Sequence, residues 1–117
     1  MTSDRIEDFL DRFSAACQAG NAASFAALFI EDATYVTCQG RWVRGREQIA
    51  RMHDDPSQAM GLRMSPRSVR ALGPAVLLVV AEGGVGEVQT FTLILRDGRW
   101  VCAAFHNTAM SEWEAAE

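Results

Sequence analysis

The chain has 117 residues, 49% hydrophobic and 22% charged, which suits one folded domain, since half this length could not bury a core of its own. The formal charge of −4 argues against nucleic acid as a partner, and the longest apolar run, Ala75 to Ala81, is too short to span a bilayer. The start, Met1-Thr2-Ser3-Asp4-Arg5, has neither the basic cluster nor the apolar stretch of a secretory signal, so a cytoplasmic protein with no membrane partner is expected.

Ile6, Phe9, Leu10, Phe13, Ala16 and Cys17 recur at helical spacing behind Asp4, Glu7, Asp8 and Asp11, acids that suit a helix N-terminus. Gly20 is a natural stop and Asn21 a natural cap for a second helix carrying Phe25, Leu28 and Phe29. From Ala33 the residues turn to β-formers: Thr34 to Thr37, a Gln39-Gly40 turn and a return through Trp42-Val43-Arg44 predict a hairpin. Arg46 to Asp54 suits a short third helix with Ile49, Met52 and His53 on one face, closed by Asp54-Asp55-Pro56 and followed by a polar loop to Gly61.

The rest reads as a meander of strands. Leu62 and Met64 alternate in one phase, Val69 and Ala71 in the other, so an edge strand with a bulge near Pro66 is expected. Ala75 to Ala81, apolar throughout, suits a covered central strand. Gly83-Gly84-Val85-Gly86 is a loop without the spacing of a dinucleotide site, and Val88 to Arg96 turns through Asp97-Gly98 into Arg99 to Thr108. The sum is one α+β domain over residues 1–117, with three helices in its N-terminal half packed over a curved, mostly antiparallel sheet of about six strands.

Cys17, Cys38 and Cys102 are odd in number and widely spaced, which fits reduced thiols better than a disulfide framework. They form no Cys-x-x-Cys pair, and His53 and His106 have no third ligand beside them, so no metal and no cofactor is expected.

The stretch Arg12 to Asn21, continuing through Ala27-Leu28-Phe29-Ile30-Glu31-Asp32-Ala33-Thr34, resembles the opening signature of the nuclear transport factor 2-like superfamily. Gly45-Arg46-Glu47, Asp97-Gly98-Arg99-Trp100 and Ala103 to Thr108 extend the likeness over almost the whole chain. It is nearest to the small subfamily associated with enediyne gene clusters (SgcJ/EcaC type), alongside SnoaL-like polyketide cyclases and ketosteroid isomerases. The resemblance implies a cone-shaped cavity between helices and sheet, and homodimers packed through the outer sheet face. It does not imply one activity, because the fold hosts enzymes and binding domains alike.

Ketosteroid isomerases use a carboxylate base, with a Tyr and a protonated acid that donate to an enolate oxygen. Their Tyr falls on Phe13, their base on Thr37 and the second acid near Thr92, none of which supplies that chemistry. Strand alternation in the same register, with Thr92 opposite Ala103 and Thr90 opposite Phe105, implies a pocket of Phe13, Cys17, Phe29, Tyr35, Thr37, Met52, His53, Thr90, Thr92, Phe105 and Asn107. Phe91, Leu93, Leu95, Trp100, Cys102, Ala104 and His106 then form an apolar outer face for a second copy of the chain.

His53 is the candidate acid/base, set against a plain role as a structural hydrogen-bonder. Tyr35 and Asn107 suit ligand contact or core packing equally. The arginines from Arg41 to Arg70 read as a solvated face that discourages edge pairing, or as a mouth that draws in an anionic ligand. The expected function is a homodimeric binder of a small apolar, aromatic or polyketide-like molecule. A cyclase- or isomerase-type enzyme using His53 and a non-catalytic dimerisation module are the alternatives.

Overall fold

Helix α1, Ile6–Ala19, buries Phe9, Leu10, Phe13 and Ala16 along one stripe, as the spacing dictates, and stops at Gly20, whose φ of 66° is left-handed. The computed structural model describes residues 5–54, 64–83 and 86–109. The loop expected up to Gly61 and the Gly84-Val85 turn lie outside these. Helix α2, Ala22–Ala26, is capped by Asn21, whose side-chain oxygen accepts from the Ser24 N–H at 3.1 Å.

This second helix is shorter than its apolar spacing suggests. Phe29, expected on it, opens strand β1 (Phe29–Val36) opposite Cys102 instead. The Cys102 N–H donates to the Leu28 carbonyl at 2.8 Å, so sheet pairing claims the backbone that another helical turn would need. Strand β2 (Trp42–Arg44) returns as the predicted hairpin, and α3 covers the predicted Arg46–Asp54.

Strands β3 (Met64–Gly73), β4 (Val76–Gly83), β5 (Glu87–Arg96) and β6 (Arg99–Ala109) complete a six-stranded sheet in the order β2-β1-β6-β5-β4-β3. Among the described strand pairs, only β1 and β6 run parallel. Strand β3 is an edge, and its register slips between Pro66 and Ser68, where the phase change predicted it. Between Phe29 and Thr34, β1 leaves its ladder with β6. There the Arg46 guanidinium donates to the Phe29 carbonyl at 2.8 Å, and the Gly45 N–H to the Ala33 carbonyl at 2.8 Å, tying α3 to the gap.

The β5–β6 hairpin carries the main correction. Asp97 and Gly98 both adopt positive φ, 54° and 76°, the two-residue turn expected there, and Arg96 faces Arg99. Ladder pairing then passes from Leu93 opposite Cys102 to Thr92 opposite Ala104, leaving Ala103 as an extra residue. This bulge reverses the phase of β6 midway, so Trp100 and Cys102 before it face the helices along with Phe105 and Asn107 after it.

Phe91, Leu93, Trp100 and Cys102, expected on the outer face, therefore point inward and are buried, and Leu95 packs half-buried against the same core. Thr90 and Thr92, expected in the pocket, lie on the outer face with Ala104 and the exposed His106. With this register, Phe91→Ala should cost about 3 to 5 kcal/mol of unfolding free energy in urea titrations. Thr92→Ala should cost under about 1 kcal/mol, as half-exposed surface positions do; the reverse ranking would restore the unbulged pairing.

Candidate functional site

Beneath the helices the apolar side chains meet ring to ring. Helix α1 brings Phe9 and Phe13, α2 Phe25, β1 Phe29 and Tyr35, β5 Phe91 and β6 Phe105. Phe13, fully buried, has its ring centroid 5.1 Å from Phe25, 5.3 Å from both Phe91 and Phe105, and 6.3 Å from Phe29. Tyr35 lies 4.8 Å from Phe105. Spacings of this kind are those of packed aromatic cores, so Phe13 packs on both Phe29 and Phe105 where a ligand was expected among them.

His53 stacks flat on Phe25, with centroids 4.4 Å apart and planes 16° from parallel, and its Nε2 is shut off from solvent. Met52, one residue before it, is buried against the same cluster. The Thr37 hydroxyl accepts from the Arg41 N–H at 3.2 Å and closes the β1–β2 turn, so its place among the pocket residues is as a turn-former. Cys17 packs half-buried at the margin of the core.

Burial, and secondarily the thiols of Cys17, Cys102 and Cys38, pushes the Tyr35 phenol well above its ordinary range, so it stays a neutral donor. Burial likewise raises the Cys102 thiol and lifts Cys17 from 9.0 to about 12. The unfolded chain ionises Cys17 near pH 9 while the folded chain resists, so stability present below pH 9 should be lost as the pH climbs towards 12. Urea midpoints from pH 8 to 11 will show this decline, and Cys17→Ala should make it shallower.

The polar residues collect at one end of the sheet. Gln89 on β5 faces Ala81 on β4 and Asn107 on β6, one inward row beyond Phe91 and Phe105. The Gln89 side chain is 2% exposed, and its Nε2 donates to Asn107 Oδ1 at 3.0 Å. Asn107 Nδ2 in turn donates to Glu87 Oε1 at 3.4 Å. Gln89 Oε1 is buried and has no donor among the described residues, an arrangement that typically costs about 1 to 3 kcal/mol. Beside this end, where Met64 pairs with Gly83 and Gly83 with Glu87, a groove of about 340 Å³ runs between α1 and β3. Leu10, Asp11, Ser14, Gln18 and Met64 are among its walls.

Asn107 is the one predicted pocket residue in this row. Gln89 and Glu87 were missed because the unbulged count turned β5 over. The signal was present: Gln89 heads the alternating series Phe91, Leu93 and Leu95, a lone amide on an apolar stripe. Among the arginines of the middle third, Arg46 is tied to Phe29 and Glu31, Arg51 to Glu47 and Arg67 to Glu82, while Arg41 and Arg51 border a groove of about 280 Å³. Among the described residues no group of His, Cys, Asp and Glu is placed to hold a metal ion, and no helix is long and apolar enough to cross a membrane.

Residues 2–107 match the SnoaL-like domain. The chain belongs to the SnoaL-like domain family. Its fold is that of the nuclear transport factor 2-like and cystatin-like proteins. A cystatin-like domain of unknown function from Nostoc punctiforme is 22% identical with a TM-score of 0.77, over 95% of this chain and 78% of that one. A putative calcium/calmodulin-dependent protein kinase II association domain from Xanthomonas campestris is 23% identical with a TM-score of 0.76, over 92% and 86%. A ketosteroid isomerase-like protein from Erwinia carotovora atroseptica is 15% identical with a TM-score of 0.76, over 91% and 94%. No curated protein matches the chain. At these identities the solved structures establish the fold alone.

For this SnoaL-like domain the amide row makes a stability prediction. Gln89→Met alone should leave stability within about 1 kcal/mol of the wild type, because it removes one unmet acceptor, Gln89 Oε1, and strands another, Asn107 Oδ1. Adding Asn107→Leu should then gain about 1 to 3 kcal/mol over the single mutant, since neither member of the pair is left unmet, with thermal and urea unfolding as the measurements.

Proposed function

We propose that this SnoaL-like domain is a homodimeric small-molecule-binding protein whose ligand is mostly apolar, aromatic or polyketide-like. Its polar anchor is the Gln89–Asn107 end of the sheet. The observation that carries the reading is the buried Gln89 carbonyl oxygen, which has no donor among the described residues. A core gains nothing from an unmet acceptor, whereas a site that binds a polar group must hold one ready. The groove between α1 and β3, lined by Leu10, Asp11, Ser14, Gln18 and Met64, lies towards the same end of the sheet and offers space for the ligand's body.

The likeness to the enediyne-cluster subfamily supports the polyketide-like chemistry. His53, stacked on Phe25, serves in this reading to hold the roof of the core. The outer face supports the second copy: Leu78, Val80, Ile94 and Val101 stand there half-exposed, and Trp42 on β2 is 66% exposed.

Thermal-shift screening with aromatic and polyketide-like compounds tests the binding. At a ligand concentration one hundred times Kd, a stabilisation of about 2.7 kcal/mol is expected. His53→Ala should lower the starting melting temperature and keep the ligand-induced shift. No shift with any compound would remove the proposal. Sedimentation velocity tests the pairing: the protein should run as a dimer and Val80→Asp as a folded monomer, whereas an unchanged wild-type and mutant profile would place any contact elsewhere.

A further inference from the structure

Granting the binding reading above, we infer that the site selects ligands that donate a hydrogen bond, and that Glu87 sets this polarity through two amides. The carboxylate of Glu87 only accepts, so the side chain that meets it, Asn107, must turn its NH2 outward. The Asn107 oxygen then faces Gln89 and must be met by the Gln89 NH2, as the 3.0 Å contact records. Gln89 has one polar atom left, its carbonyl oxygen. That atom is buried and unmet among the described residues.

The described neighbours supply no donor. Ala81, the inward residue opposite Gln89 on β4, carries only a methyl group, and the strand N–H groups on both sides belong to the sheet ladder. The chain thus runs from a carboxylate at the start of β5, through two amides of fixed orientation, to an acceptor inside the protein. A phenol, an alcohol, an N–H heterocycle or a protonated amine completes it. A ketone, an ether or a carboxylate meets an oxygen with an oxygen and is turned away.

The same chain explains which substitutions matter. Gln89→Met removes the acceptor at nearly the same length. Glu87→Gln leaves every atom count intact but presents either an oxygen or an NH2 to Asn107, so both amides are free to turn over and the site loses its fixed sign.

The test uses two probes of one shape, 4-ethylphenol and 4-ethylanisole, titrated into the ¹⁵N-labelled protein and followed in amide NMR spectra, which report affinity, location and foldedness together. The phenol should bind at least about tenfold more tightly than its methyl ether, a ratio worth about 1.4 kcal/mol. Glu87→Gln should shrink the preference to about threefold or less, and Gln89→Met should abolish it. Equal affinities in the wild type, or a preference that survives Gln89→Met, overturn the proposal. Neutron diffraction on the deuterated protein reads the amides directly. Deuterons on the Gln89 arm that faces Asn107 support the polarity, and deuterons on its other arm overturn it whatever binds. Binding of neither probe to a protein whose amides are oriented as described overturns the binding reading, and the ligand preference with it.

Discussion

The extra residue Ala103 in β6 governs more of this molecule than any single contact. An unbulged strand alternates strictly, so it could present Trp100 and Cys102 to the helices, or Phe105 and Asn107, but not both pairs. With Ala103 inserted, all four face inward. The first pair packs against Leu93 and the α2–β1 junction, where the Cys102 N–H holds the Leu28 carbonyl. The second pair continues the row through Phe91 and Gln89. The bulge is also braced locally, by the Cys102 thiol resting 3.1 Å from the Ala104 carbonyl.

That geometry separates the inner face of the sheet into two materials. Next to α1 and α2 stand the rings, each touching several others, which is where the apolar surface and the dispersion contacts of this small domain are concentrated. One row further along, the side chains shrink to Ala81 and Gly83 or become polar at Glu87, Gln89 and Asn107. The rings do the holding, and the polar row is spared from it. A site built beside a rigid aromatic block inherits fixed positions for its hydrogen-bonding atoms, which is what selectivity between similar ligands requires.

What could be read from the sequence divides along the same line. The helices α1 and α3, the Gln39-Gly40 and Asp97-Gly98 turns and the break near Pro66 all follow from residues a few positions apart, and the structure has them where the local signals put them. The phase of β5 does not. It depends on pairing between Thr92 and Ala104, and an alanine that bulges looks like an alanine that does not. Strict counting back from the hairpin turn put Thr90 and Thr92 inside, although the apolar alternation of Phe91, Leu93 and Leu95 pointed the other way. Weighting burial above register would have brought Gln89 into view. The early end of α2 has a similar cause, since the residue that claims the Leu28 carbonyl lies on the last strand.

The placement of Gln89 bears on why such a row persists in a domain of this size. Folded chains of about one hundred residues are stable by only some 5 to 15 kcal/mol, so an unmet buried acceptor is a sizeable fraction of the whole. Apolar residues at both Gln89 and Asn107 would remove the penalty without disturbing the ladder, because neither side chain takes part in strand pairing. The strand ladder therefore does not depend on this pair. Its orientation nevertheless has a definite source in Glu87, and the bulge that places Asn107 inward also places Gln89 opposite it. A feature that the strand ladder does not require, yet that is held in one orientation at a cost in stability, is better explained by what it meets than by what it supports.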